Sequence, residues 1–286
     1  MLRSVISPFL VAAVAACATA LPSNDAAPVA AAGLAPRGKL RAAINFGNPI
    51  LATRDLGTGQ ARGVSVDLAR ELARRLGVPV ELVLYDAAGK VVEGLKTDSW
   101  DIAFVAIDPA RAVELDYSAP YVVIEGAYLV PQASAIRSNA EVDRDGVRVV
   151  VGAGSAYDLY LSRELRNAQI VRAPTSPAVV DAMVAQKLEA AAGVKQQLEA
   201  DAKRIAGVRI LDGHFMVINQ AMATPKGRGR GGSYLAEFVE EMKASGFVTS
   251  ALQRHGIEGA ALAPPARPDH TPLTRGGVCG TVLCAK

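Results

Sequence analysis

The 286-residue chain has few cysteines and few histidines, and this scarcity excludes several kinds of site. Its three cysteines, Cys17, Cys279 and Cys284, all lie near the two ends. The globular part therefore contains neither a disulfide nor a cysteine-based metal site. The three histidines show no metal-ligand spacing. We expect no metal site and no cofactor.

The chain also lacks a strong excess of either charge. Its formal net charge is +3, which is too small to indicate a nucleic-acid partner. The densest basic stretch, KGRGRGG at 226–232, combines glycines with no aromatic residue, as is typical of a solvated loop. Hydrophobic residues make up 50% of the chain, which is ample for a packed core.

Residues 1–20 have the order of a secretory signal peptide, with an early positive charge and then an apolar run. That run is shorter than the about 20 residues that a membrane-spanning helix needs. Two processing sites remain open. ATA at 18–20 fits cleavage after Ala20, whereas VAAC at 14–17 resembles the lipobox of bacterial lipoproteins, in which Cys17 would carry a lipid. Either way, we expect a periplasmic protein, soluble or lipid-anchored.

Segments rich in alanine, proline and glycine flank the periodic part of the chain. Residues 21–36 are predicted to be a linker, and residues 263–286 a disordered tail. Cys279 and Cys284 could pair in an oxidising compartment, but they lie within this tail.

Strand and helix patterns alternate twice along the chain. The first series is KLRAAINF, SVDLARELARRLG, PVELVLYD, GKVVEGLKT and DIAFVAI, which reads β-α-β-α-β. A second series runs from GVRVVVG to LEAAAGV. Such alternation predicts parallel sheets covered by helices.

Two α/β lobes follow from this doubled order. We assign residues 37–130 and 222–262 to lobe 1 and residues 131–221 to lobe 2. EGAYLVPQASAI and INQAMATP are the predicted crossing segments between them, near 127–134 and 219–224. A cleft is expected between the lobes.

Five stretches resemble the bacterial extracellular solute-binding proteins, family 3, which serve amino-acid ABC transporters. They are GKLRAAIN, GVSVDLARELARRLGVPVE, LKTDSWDIAFVAIDPARAVELDYSAPY, GVRVVVGAGSAYDLYL and VVDAMVAQKLEAAAGV. The resemblance covers roughly residues 38–257. It implies a type II periplasmic-binding-protein fold. It also implies a non-enzymatic protein, expected to be a monomer, that delivers a small carboxylate-bearing solute to a membrane permease.

Arg111 is the central candidate for the site, because it follows the carboxyl end of a predicted buried strand. Asp108 and Pro109 before it suit the start of a helix. A guanidinium beside free N–H groups suits a carboxylate, and in the family the arginine at this position holds the solute carboxylate. The alternative is a surface arginine paired with Asp108.

Further candidates come from the second lobe and from the loop after the first strand. Gly154 and Ser155 match a family pair that contacts the carboxylate, although Ser155 with Asp158 also fits a capping box that needs no ligand. Family members carry an aromatic ring after the first strand. Phe46 is the nearest ring, as a lid or a core residue, while simple alignment places Gly47 or Asn48 there.

Three departures from the family pattern affect the expected solute. Ala106 and Asp108 replace two hydroxyl residues, and Ser65 replaces an aspartate. The acidic residue that takes an amino acid's ammonium should follow LEAAAG, where this chain has Val194 and Lys195. We therefore expect a small organic anion, with Lys195 either a second cation in the cleft or an exposed residue at a helix start.

Two other functions stay open on sequence grounds. Exported proteins with this fold include some that resemble cyclohexadienyl dehydratase, an enzyme that grips carboxylates in the same way. Its chemistry would need a positioned acid or base. A ligand-sensing subunit that hands its solute to a partner protein is the other alternative.

Overall fold

A computed structural model describes residues 26–266. Its strands are β1 (Leu40–Asn45), β2 (Thr53–Arg54), β3 (Ala61–Arg62), β4 (Val80–Tyr85), β5 (Ile102–Ala106), β6 (Leu115–Pro131), β7 (Arg148–Gly152), β8 (Gln169–Ala173), β9 (Ala190–Val194), β10 (Val208–Ile210), β11 (Met216–Pro225) and β12 (Ala261–Leu262). Its helices are α1 (Ala26–Leu34), α2 (Val64–Leu76), α3 (Ala88–Glu93), α4 (Ala156–Glu164), α5 (Val179–Gln186), α6 (Lys195–Arg204), α7 (Arg230–Ala244) and α8 (Phe247–Arg254). The main strands are ordered β4-β1-β5-β11-β6-β9-β7-β8.

Lobe 1 is built on β1, which pairs in parallel with β4 and β5. The helix α2 shows why its sequence folds this way. Apolar residues recur on one face and are buried, while arginines lie in its last turn. Gly77 then ends the helix in the left-handed conformation that favours glycine. The first predicted β-α-β-α-β series is confirmed.

Lobe 2 repeats the arrangement around β7, which pairs in parallel with β8 and β9. Its helices α4, α5 and α6 follow β7, β8 and β9 in turn. The helix α5 packs against β7 and β9. The second series is confirmed as well, and the structure is the predicted α/β fold with two lobes.

Two long antiparallel strands, β6 and β11, connect the lobes. The strand β6 is 17 residues long and begins to pair with β9 at Gly126. On the return, β11 begins to pair with β5 at Gln220. The crossing on β6 therefore lies at the start of the predicted segment EGAYLVPQASAI, and the crossing on β11 lies within INQAMATP. After Gly126 the apolar residues of EGAYLVP continue β6 into lobe 2.

The structure also differs from the predictions for the linker at 21–36 and the tail at 263–286. Within the predicted linker at 21–36, residues 26–34 form α1, which packs against α7 and buries Ala30 and Leu34. The alanine-rich sequence favours a helix, and Gly33 lets it approach the backbone of Gly231 closely. At the other end, Ala263 is buried and donates its N–H to Tyr121 O at 3.2 Å. The prediction that a disordered tail begins at residue 263 is therefore wrong for Ala263 itself.

The remaining terminal predictions fall outside residues 26–266. They concern the signal peptide, lipidation of Cys17 and the pair Cys279 and Cys284. Within the described range, every helix is too short or too polar to cross a membrane.

Candidate functional site

The carboxyl ends of strands from both lobes converge on one cavity of about 30 Å³. Its wall is made of loops that follow β1, β4, β5, β7 and β8 and of residues on β9 and β11. The lining residues are Asn45, Gly47, Asn48, Ala88, Ala106, Arg111, Ser155, Ala156, Tyr157, Ser176, Val194, Ile218 and Gln220. This is the edge at which open α/β sheets place their ligands.

Arg111 reaches this cavity from lobe 1. Only 4% of the residue is exposed. Its Nη1 donates to Ala106 O at 3.0 Å within lobe 1, and its Nη2 donates to Gly154 O at 2.7 Å in lobe 2. Burial lowers the pKa of Arg111, but a guanidinium keeps its proton at neutral pH. The site therefore carries one buried positive charge.

Asp108 lies beside the cavity wall, but its carboxylate accepts hydrogen bonds from residues that do not line the cavity. Its Oδ1 accepts a hydrogen bond from Ala110 N at 2.9 Å, and its Oδ2 accepts one from Arg163 Nη2 at 2.8 Å. The predicted helix after Asp108 is wrong, since the chain forms only a 3-10 turn at Arg111–Val113 before β6 begins. The alternative, a surface Arg111 paired with Asp108, is wrong, because Arg111 is buried and Asp108 instead forms an ion pair with Arg163 on α4.

Gly154 and Ser155 form the lobe 2 side of the cavity. Ser155 caps α4, because its side chain accepts a hydrogen bond from Asp158 N at 3.0 Å. The Asp158 carboxylate in turn accepts a hydrogen bond from Gly154 N at 2.8 Å. A standard capping box would instead use the N–H of Ser155, the N-cap residue. Gly154 has a φ of +67°, and a Cβ there would lie 2.7 Å from Gly89 Cα in lobe 1. Glycine is required at this position by both conformation and space.

Of the candidates after β1, the structure brings Gly47 and Asn48 to the cavity but not Phe46. Asn48 is buried, and its side-chain oxygen has no hydrogen-bond partner among the described residues. Phe46 lies instead under the Arg54 guanidinium, whose Cζ is 4.9 Å from the ring centre. That ring lines a separate, open depression with Leu84 and Lys90.

Lys195 does not line the cavity, although its neighbour Val194 does. Its Nζ lies 2.9 Å from Glu125 Oε2, and Glu125 Oε1 lies 3.1 Å from His214 Nδ1. Contact with Lys195 lowers the pKa of Glu125 and raises the pKa of Lys195. Because Glu125 immediately precedes the point where β6 enters lobe 2, the lysine belongs to a charge cluster at the crossing.

Several lining residues were missed from the sequence. Gln220 could have been predicted from the sequence, since it is a polar residue inside the apolar run of β11. The structure shows that it is buried. Ser176 and Tyr157 had none, because only the folding of lobe 2 brings them to the cavity. None of the lining residues of this cavity is Asp, Glu or His. Within residues 26–266, no group of three potential ligands could hold a metal ion.

The family assignment follows from residues 41–257, which match the model of the bacterial extracellular solute-binding proteins, family 3. The chain belongs to this family. The match covers both lobes and the crossings between them, including Arg111. No curated protein matches the chain.

Solved structures show the same fold at low sequence identity. A putative ABC-transporter binding component from Wolinella succinogenes, complexed with lysine, is 23% identical, with a TM-score of 0.66 over 76% of this chain and 95% of that one. The L-cysteine solute receptor of Neisseria gonorrhoeae is 22% identical, with a TM-score of 0.70 over 81% and 95%. An ancestral amino acid-binding protein, described as a precursor of cyclohexadienyl dehydratase, is 24% identical, with a TM-score of 0.66 over 77% and 96%.

Proposed function

We propose that this protein binds a small carboxylate-bearing solute in the cleft between its lobes and delivers it to the permease of an ABC transporter. Family membership supports a solute-binding role outside the cytoplasm. The observation that carries the proposal is the buried Arg111 guanidinium at the cavity, at the carboxyl end of β5. A buried cation of this shape is suited to a carboxylate.

The connection between the lobes suits a binding protein that opens and closes. The lobes are joined by β6 and β11, so a change of a few backbone angles near Glu125 and Gln220 can rotate one lobe against the other. The N-terminus of α4 in lobe 2 would then approach a carboxylate held by Arg111.

The charges of the cavity favour a solute without an ammonium group. Arg111 supplies a positive charge, and no lining residue supplies a negative one. An α-amino acid would place its ammonium in this wall without a carboxylate partner, which costs free energy in a buried site. The organic anion that the sequence suggested therefore remains the proposed class, now on the basis of the whole lining rather than of Lys195.

Binding is proposed rather than catalysis. The dehydratase alternative requires an acid or base positioned at the substrate, and the lining offers no Asp, Glu or His side chain for that role. Incubation with prephenate tests this directly. Product formation at a rate above that of Arg111→Ala would favour the enzyme.

The first experiment is a thermal-shift screen over organic acids and amino acids. A true ligand at 100 times its Kd stabilises the folded state by about 2.7 kcal/mol, which gives a clear rise in Tm. We expect carboxylates to produce the rise and neutral analogues, such as the corresponding amides, to produce none. A screen in which neutral analogues shift Tm equally would contradict the proposal.

The second experiment is calorimetric titration of Arg111 variants with the best ligand. Arg111→Ala should weaken binding by about 2–5 kcal/mol, because the carboxylate loses its charged partner in a buried site. Arg111→Lys should also weaken binding, since a lysine cannot form the guanidinium fork. Because Arg111 is buried and bonded to two carbonyls, truncation should also lower the free energy of unfolding by about 1–3 kcal/mol. Unchanged affinity in Arg111→Ala would contradict the role of this residue.

A further inference from the structure

Gln220 lies beside the guanidinium of Arg111. The residue is on β11, and its Cα is paired with that of Ala106 on β5. Opposed Cα atoms of antiparallel strands are about 4.5–5.5 Å apart. Ala106 O is also the acceptor for Arg111 Nη1, at 3.0 Å. Because Gln220 and Arg111 both line the cavity, the amide and the guanidinium face the same space.

The amide of Gln220 is buried and has no partner within the part of the chain that the structure describes. The residue is 7% exposed, and its side chain forms no hydrogen bond with another residue in the range 26–266. Thr224 on the same strand shows the usual arrangement, since it is fully buried and its Oγ1 donates to Asp101 O at 3.0 Å. Buried polar side chains are normally hydrogen-bonded. The amide of Gln220 is therefore free to bond with a solute that enters the cavity.

A second amide lies on the other side of the guanidinium. Strand β5 lies between β1 and β11, and Asn48 follows β1. Asn48 is 8% exposed, and its Oδ1 has no partner among the described residues. Its carbonyl accepts hydrogen bonds from Leu51 N and Ala52 N, each at 3.1 Å, so a turn fixes its backbone. Three neighbouring strands thus present an uncharged amide, a cation and a second uncharged amide.

The two amides favour a hydroxyl group beside the carboxylate of the solute. An amide side chain has an oxygen that accepts hydrogen bonds and an NH₂ group that donates them, and a hydroxyl can pair with either end. A second carboxylate cannot donate, so it would leave the amide oxygens unpaired. An ammonium group would donate, but none of the lining residues of this cavity is Asp or Glu to balance its charge.

We propose that Gln220 is a specificity-determining residue of this cleft and that, with Asn48, it selects 2-hydroxy carboxylates over the corresponding unsubstituted, 2-amino and dicarboxylic acids. This inference rests on the proposed solute-binding function. It adds the second functional group of the solute, and it assigns a role to the amide at the point where β11 begins to pair with β5.

The test uses pairs of acids that differ only in the hydroxyl group. Wild-type protein is titrated calorimetrically with lactate and propionate, with 2-hydroxyhexanoate and hexanoate, and with alanine and malonate. A short pair and a long pair are used so that the comparison does not depend on the size of the solute. We expect the hydroxy acid of at least one pair to bind about tenfold more tightly than its partner. Alanine and malonate, which share the three-carbon skeleton of lactate, should bind more weakly than lactate.

Gln220→Met keeps the approximate length of the side chain but removes its amide. The affinity of the hydroxy acid should fall by at least about threefold, whereas that of its unsubstituted partner should not fall. The free energy of unfolding, measured by urea denaturation, should not fall either, because the amide has no partner among the described residues.

Gln220→Glu tests the proximity to Arg111. A carboxylate at this position would compete with the solute for the guanidinium, so both members of each pair should lose at least about tenfold in affinity. Thr224→Val is the matched control, since it removes a buried polar group from the same strand outside the cavity lining. Its ratio of hydroxy-acid affinity to unsubstituted-acid affinity should equal that of wild type.

The outcomes separate this inference from the proposed function. Equal affinities within both pairs, or alanine binding as tightly as lactate, would overturn the selection of a hydroxyl while leaving carboxylate binding intact. A wild-type affinity ratio in a folded Gln220→Met, or unchanged affinities in Gln220→Glu, would overturn the role of Gln220. Failure of all these acids to bind would overturn the inference, and the thermal-shift screen would still decide the proposed function.

Discussion

The two sides of the cleft differ in the chemical groups that they present to the cavity. Lobe 1 presents long polar side chains, with Arg111 and Asn48 at the cavity and Asp108 beside it. Lobe 2 presents mainly backbone and hydroxyl groups, with Gly154 O accepting from Arg111 and Ser155 capping α4. Lobe 1 therefore supplies the charge of the site.

The two sides of the cleft determine different properties of the site. The side chains of lobe 1 determine the chemistry of the solute, because they supply the charge and the unpartnered oxygen at the cavity. The lobe 2 side depends on a left-handed glycine and a helix cap, so it determines how closely the lobes approach. Substitutions in lobe 1 should therefore change mainly which solute binds, whereas substitutions in lobe 2 should change mainly how closely the lobes approach.

After Arg111→Ala, the largest expected effect is on the lobe 2 side, where the backbone forms the wall of the cavity. Gly154→Ala places a Cβ 2.7 Å from Gly89 Cα and forces an L residue into a left-handed conformation, which costs about 1–2 kcal/mol. We expect lower stability and weaker solute binding, measured by chemical denaturation and calorimetry.

The matched substitution on the opposite wall is Gly89→Ala. Its Cβ would lie 3.3 Å from Gly154 Cα, a tight but tolerable distance, and its φ is not left-handed. Gly89→Ala should therefore lower stability and solute affinity clearly less than Gly154→Ala does. Equal effects in the two variants would show that the lobes do not approach each other as described.

A smaller effect is expected on the side-chain side. Asn48→Ala removes an oxygen without a described partner, so stability should hardly change. Binding of a carboxylate that carries a hydroxyl on the neighbouring carbon should weaken by about 0.5–1.5 kcal/mol through loss of one hydrogen bond. Acetate, which has no hydroxyl, serves as the control and should bind equally to both proteins. A loss for acetate of the same size would assign Asn48 a role in packing instead.

The crossing between the lobes provides a test that should leave the site untouched. Lys195→Asp places a carboxylate beside Glu125 in place of the present ion pair, which should lower stability by about 1 kcal/mol or less. Affinity for the solute should stay within about twofold, because Lys195 does not line the cavity. Abolished binding would mean that this lysine reaches the solute.

The smallest effect concerns a surface far from the cleft. Hydrogen bonds from Arg74 and Arg75 lower the pKa of Glu71 to about 2, from an ordinary value of 4.5. The lowered pKa means that its stabilisation is present above pH 4.5 and is lost as the pH falls toward about 2. Glu71→Gln should therefore cost about 0.5–1 kcal/mol near neutral pH and nothing at low pH. Urea denaturation across this range measures it, and a cost that persists in acid would contradict the assignment.

Local signals made much of the fold predictable. Apolar periodicity located α2, and a serine three residues before an aspartate located the start of α4. The position of Arg111 after a buried strand also follows from the chain order. Less predictable was α1, because a segment rich in alanine and proline fits either a linker or a packed helix, and contact with α7 decides between them.

The partners of the charged residues could not be predicted in the same way. Asp108 and Arg163 are 55 residues apart, and Lys195 and Glu125 are 70 apart. Nothing in their neighbouring residues indicates these pairs. For Asp108 the nearest arginine in sequence was the wrong partner, because the 3-10 turn directs Arg111 to the carbonyls of Ala106 and Gly154.

Three properties could be predicted from the amino-acid sequence: the order of strands and helices, the two-lobed fold, and the placement of one arginine at the end of a strand. These properties depend on apolar spacing and on capping residues within a few positions of one another. Three others required the folded chain: the shape of the cavity, the unpartnered oxygen of Asn48 among the described residues, and the pairing of Asp108 with Arg163. These depend on the distance and orientation between two lobes, which are set by close packing of residues far apart in the chain.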